Sequence, residues 1–193
     1  MELKELTSDV IIYNFILYGC LPLWLIMGFG DWWCHKKSRI EATTGVKESI
    51  YHAIMGVQIG IPVFLGFYFK INVLLLILMF IVLIFHEWVA HTDVAYALNT
   101  REISIYETHI HSFLEVLPFV IVALIVAINW PAFIDLITFN WAGNMGLIWQ
   151  PVNIKYITAY FVPLIVLDVI PFIEELIRCY RYEKSHPKSE AGS

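Results

Sequence analysis

Charge is what this 193-residue chain has least of: Asp, Glu, Lys and Arg make up 15% of it, against about a quarter in an ordinary soluble domain. Three cysteines (Cys20, Cys34, Cys179), none in a CxxC, give no disulfide framework and no zinc-finger spacing. A net charge of −5 and a pI near 5.8 exclude a nucleic-acid binder. No internal repeat is visible, so an inverted-repeat transporter is not suggested. What is plentiful is apolar surface. Hydrophobic residues reach 59% and mean hydropathy +0.70, which rules out disorder and defines an integral membrane protein.

About 20 mostly apolar residues cross a bilayer as a helix. Five stretches qualify, at about 10–30, 46–69, 73–91, 105–130 and 154–177. The expected fold is therefore an all-α integral membrane protein, a five-transmembrane-helix bundle forming a single domain over 1–181, with a disordered tail at 182–193. Only Lys70-Ile71-Asn72 separates the second and third spans, which predicts a hairpin. The start, MELKELTSD, is acidic where a cleavable signal would be basic, so the first span is expected to be retained. One set of loops holds nine Lys and Arg and the other three. The basic face is expected to be cytoplasmic, with the N-terminus outside, in a bacterial-type inner membrane or its equivalent. Residues 131–153 are too polar and too rich in Gly and Pro to span. They read as an outer-face cap or interfacial helix, with Trp130, Trp141 and Trp149 at headgroup level. Gly56 and Gly60 have the small-xxx-small spacing of closely packed helices, and Pro22, Pro62, Pro118, Pro163 and Pro171 predict kinks.

Chemistry is concentrated in the histidines. Four of the seven follow a carboxylate by four residues: Asp31/His35, Glu48/His52, Glu87/His91 and Glu107/His111. Random placement would give about 0.6 such pairs at the spacing that shares one helix face. Each pair closes or opens a span, and the topology sends all four to the cytoplasmic end. Converging helix ends would put four carboxylates and four imidazoles around one volume, as helical bundles do when they build dinuclear sites. Clustered acids near a membrane repel and are costly, and apart from Lys47 and Lys155 at span starts the spans contain no Lys or Arg to offset them. Metal ions would. Carboxylate oxygen with imidazole nitrogen suits iron, manganese or zinc, and the expected cofactor is two metal ions, with iron preferred. The competing reading of any one pair is a helix-end acid beside an interfacial histidine. Ser104 to Glu107 has the pattern of a capping box, which would occupy that carboxylate with backbone.

Further candidates, as ligands or as groups hydrogen-bonded to ligands, are His86, His109, Glu115, Asp168 and Glu175. His86 points about 140° away from His91 on an ideal helix, so it serves a second metal or bonds a neighbouring helix. His109 faces away from Glu107 and His111. Glu115 lies deeper on their face. Asp168, mid-span, would be justified by a hydrogen bond to a ligand imidazole, and Glu175 follows two turns on.

HEWVAH at the end of one span, followed by HIH at the start of the next, resembles the membrane-bound histidine-box diiron superfamily of fatty-acid desaturases, hydroxylases and alkane monooxygenases. The resemblance rests on His86, His91, His109 and His111, over about a quarter of the chain, and the HxxHH box of that superfamily is missing. It implies a cytoplasm-facing diiron centre acting on a lipid-soluble substrate. The leading expectation of function is thus a diiron oxidoreductase that activates O₂ for hydroxylation or desaturation, with an apolar or lipid substrate and an external electron donor. One alternative is a zinc hydrolase of a lipid ester or amide, with Glu48 or Glu107 as base. The other is a non-enzymatic metal-binding or haem protein.

Overall fold

A computed structural model describes residues 7–187, and every one of its regular elements is helical. Five helices are long and apolar enough to cross a membrane: α1 (Ser8–Ser38), α2 (Val46–Tyr68), α3 (Val73–Thr100), α4 (Ile105–Ile128) and α6 (Ile154–Ser185). A short helix, α5 (Trp130–Ile137), lies between α4 and α6. Large apolar side chains such as Ile84, Trp88, Phe15 and Val57 are exposed around the bundle, as lipid-facing residues must be.

The helices begin at or within two residues of the expected spans; α2 and α4 also end close to them, while α1, α3 and α6 run eight or nine residues further. Hydropathy marks where lipid ends, and a helix continues as long as its backbone bonds do. At 1.5 Å per residue the 28 residues of α3 reach about 42 Å, well beyond a hydrocarbon core about 30 Å thick. Its last nine residues, Thr92 to Thr100, include Thr92, Asp93, Asn99 and Thr100 and are still helical. The final helix likewise continues through Ser185, four residues into the segment expected to be disordered; residues 188–193 lie outside the described part of the chain.

Proline acts locally. A proline lacks its own N–H and clashes with the carbonyl four residues earlier. Pro22 and Pro171 each follow a widened π turn, Ile16–Cys20 and Ile165–Val169, that contains this carbonyl residue. Pro62, Pro118 and Pro163 lie inside continuous helix.

Two different cores fill the bundle. In one half, Ile16, Leu21, Leu25, Phe67, Leu117 and Ile157 belong to an apolar core. That end is capped by residues 138–153. Lys70, Gln150 and Val152 donate backbone bonds to Ile148, Tyr68 and Phe67, Asn72 Nδ2 donates to the Gly146 carbonyl (2.6 Å), and Trp149 stacks on Tyr68. A cap is therefore present at this end of the bundle. The other half is filled with charge.

Between α1 and α2 the chain turns through a short 3₁₀ segment, Ile40–Ala42, with Ile40 fully buried beneath it. Gly45, at φ 64° and ψ −143°, ends the turn in a region open essentially to glycine, and its carbonyl accepts from Ser49 N. Gly45→Ala is expected to cost about 1–3 kcal/mol. The check is a denaturation midpoint in detergent.

Candidate metal centre

Five carboxylates and three histidines converge at the filled end: Asp31 and His35 from α1, Glu48 and His52 from α2, Asp93 from α3, Glu107 and His111 from α4, and Glu175 from α6. Every carboxylate in the set is at most 2% exposed. The antiparallel order of the helices explains the convergence, since the C-terminal parts of α1, α3 and α6 meet the N-terminal turns of α2 and α4.

His35 is the centre of the group. Its Nδ1 lies 3.0 Å from Glu175 Oε2, and a proton donated there leaves Nε2 with a free lone pair. That Nε2 is buried without a hydrogen bond. It faces Glu107 Oε1 at 3.3 Å, Asp31 Oδ1 at 3.5 Å and Glu48 Oε1 at 3.7 Å. Asp31 Oδ1 is in turn 2.9 Å from His111 Nε2. His52 stacks on His35 with ring centroids 4.6 Å apart, and its two nitrogens reach Glu175 Oε1 (3.3 Å) and Asp93 Oδ2 (3.2 Å). Glu175 also accepts from Ser49 Oγ at 3.0 Å, so one carboxylate orients two imidazoles and ties α6 to α1 and α2.

The protein supplies one cation of its own. Arg101, directly after α3, donates Nη2 to Glu48 Oε1 (2.6 Å) and Nε to Glu48 Oε2 (3.2 Å). It also donates Nη1 to Glu107 Oε2 (3.1 Å), and Nη2 bonds Glu107 Oε1 as well. Burial lowers the Arg101 pKa, but hydrogen bonds to Glu107 and Glu48 more than reverse this, and the net shift is upward. The sequence reading finds no cation for these acids because Arg101 lies ten residues past the expected end of its span. With the histidines counted neutral, one guanidinium against five carboxylates leaves four formal negative charges, and His52, with both ring nitrogens at carboxylates, offsets one of them when protonated.

The donor set fits a metal ion. Two ligands each about 2.1 Å from a common ion lie about 3.0–3.4 Å apart. One nitrogen or carboxylate oxygen from each of Asp31, His35, Glu107 and His111 falls within 4.8 Å of the others, as does a second group of His35, Glu48 and His52. Their closest contacts, 2.9, 3.3 and 3.5 Å, are of ligand-pair size.

Three of the four sequence pairs are thus brought together, though only Asp31 and His35 face each other as a pair. Glu48 bonds Arg101 and not His52, which takes Glu175 and Asp93 instead. The fourth pair is not brought in. His91 is exposed and Glu87 half-buried, on the outer side of α3 with Trp88 and Ile84. The inward face of α3 is Met79, Leu83, His86, Asp93 and Ala97, a heptad-like stripe that leaves 87 and 91 outside. His109 is exposed, so of the four histidines behind the histidine-box resemblance only His111 is in the cluster. The Ser104 cap forms, with Ser104 Oγ accepting from Glu107 N, but it leaves the Glu107 carboxylate free for the cluster.

Beside the cluster opens a cavity of about 460 Å³, within the range of small-molecule sites. Asp31, His52, Asp93 and His111 form its polar wall, and Trp24, Val63, Phe161 and Leu164 are among its apolar lining. Gly56 and Gly60 also line it. A Cβ on either would meet nothing within 4 Å, so this pair leaves space and does not bring helices into contact, correcting the small-xxx-small expectation. The close approach occurs instead at Gly28, where a Cβ would lie 2.4 Å from Asp168 Oδ1. Asp168 makes no hydrogen bond to an imidazole or to any other described group. The chain matches no protein-family model, no curated protein and no solved structure.

Proposed function

We propose that this chain is a membrane-embedded metalloenzyme acting on a lipid-soluble substrate, most simply a di-metal oxidoreductase loaded with iron. The observation that carries this reading is His35: a buried imidazole, oriented by Glu175, whose other nitrogen faces three carboxylates beside an apolar cavity. Asp31, His35, Glu107 and His111 would hold one ion, and Glu48 with His52 would contribute to a second. Bound iron would supply redox chemistry towards dioxygen, driven by an external electron donor. The chain's own part is to hold His35 in one tautomer through Glu175, to keep Glu48 and Glu107 fixed through Arg101, and to present Asp31 and His111 to the cavity. The cluster end carries Lys36, Lys37, Arg39, Lys47 and Arg178, which supports a cytoplasmic orientation for it.

A single zinc ion and hydrolysis of a lipid ester or amide form the second reading. It is favoured by the sharing of His35 between the two groups and by the engagement of both His52 nitrogens elsewhere. Elemental analysis of protein purified without added metal separates the two. About two irons per chain are expected, while one zinc, with activity that survives anaerobiosis, would select the hydrolase. Protein free of every transition metal and unable to take one up would end both.

A further inference from the structure

Two buried polar groups on the cavity wall have nothing to bond to. Asp168 is 6% exposed with both carboxylate oxygens unpartnered, and His86 is 5% exposed with Nδ1 unpartnered. Both line the 460 Å³ cavity. An unsatisfied carboxyl within a membrane-spanning helix is costly, and proteins tolerate such groups mainly where they serve a ligand. Local structure turns Asp168 into this position. It lies in the π turn Ile165–Val169, a feature often found at functional sites, and only the absence of a side chain at Gly28 makes room for it. Gly28 is one helical turn from Asp31, so Asp168 stands about 5 Å along the helix from the metal-binding group.

We propose that the cavity binds a long-chain alcohol or other hydroxyl-headed lipid, with its hydroxyl on Asp168 and its apolar body beside Gly56 and Gly60. A hydroxyl both donates and accepts, so it satisfies a carboxyl in either protonation state, which no alkane can do. The head, not the tail, then lies beside the candidate ligands Asp31 and His111. This deepens the functional reading above and rests on it for calling the ligand a substrate.

The test uses the full chain in lipid nanodiscs, with a diazirine-bearing hexadecanol, the matched diazirine hexadecane and unlabelled hexadecanol or hexadecylamine as competitors. Saturable labelling by the alcohol is expected, displaced by hexadecanol. Asp168→Leu should raise the half-saturating concentration about tenfold or more, as loss of a hydrogen bond to a charged group does. It should leave alkane labelling and metal content unchanged, and thermal stability should not fall, because an unpaired carboxyl is removed. Gly56→Leu, which fills open space, should block both probes. Equal labelling by alcohol and alkane in the wild type, or an alcohol response indifferent to Asp168→Leu, would overturn the proposal. Displacement by hexadecylamine but not hexadecanol would overturn the hydroxyl assignment. A metal-free protein that still binds the alcohol through Asp168 would keep this site and refute the enzymatic reading.

Discussion

His35→Ala is expected to abolish metal retention. His35 belongs to both candidate ligand groups, so one truncation removes a donor from each. Losing only a partner that orients a ligand costs about 10–100-fold in metal affinity, and losing the shared ligand costs on the order of 100-fold or more. Glu175→Gln preserves the side chain's shape and should fall in the 10–100-fold range, through loss of the charged acceptor that fixes His35 and His52. His91→Ala and His109→Ala, both exposed, should retain wild-type metal. Metal per chain after gel filtration in detergent reads all four. Equal loss from His35→Ala and His91→Ala would remove the basis for the centre.

The second large effect is on stability. Arg101→Met takes away the only guanidinium bonded to Glu48 and Glu107 and leaves two carboxylates buried without it. Breaking a buried pair this way costs about 3–5 kcal/mol. The loss should be greatest in metal-depleted protein and smaller after loading with a divalent ion, because bound cations then offset the same charges. Unfolding midpoints with and without metal measure the difference. A variant as stable as wild type in both states would show that Arg101 does not hold the acids together.

Much of this site is legible in the sequence, and what is not has definite causes. Asp31/His35 and Glu107/His111 can be read because four-residue spacing puts both members on one face and because their spans end there. The same spacing misleads at Glu87/His91. A four-residue pair says that two side chains share a face, not which face turns inward. The buried stripe Met79, Leu83, His86 answers that question once the helix is packed, and seven residues beyond His86 it reaches Asp93. Arg101 is hidden for a different reason. Its contribution depends on α3 staying helical for nine residues beyond His91, and hydropathy is silent about helix that has left the lipid. Glu175 can be found as an acid near the right end, but its role as acceptor for His35, His52 and Ser49 exists only once three helices are packed.

Because Asp31 and His35 lie on α1 and Glu175 on α6, the centre cannot be completed before the fifth spanning helix has been made. A ribosome that has inserted four spans has delivered Arg101 and Glu107 but not the carboxylate that orients His35. Any ion captured before then would be weakly held and free to exchange. On the proposed reading, the order of residues along the chain would delay tight capture of an ion until the fifth span is in place.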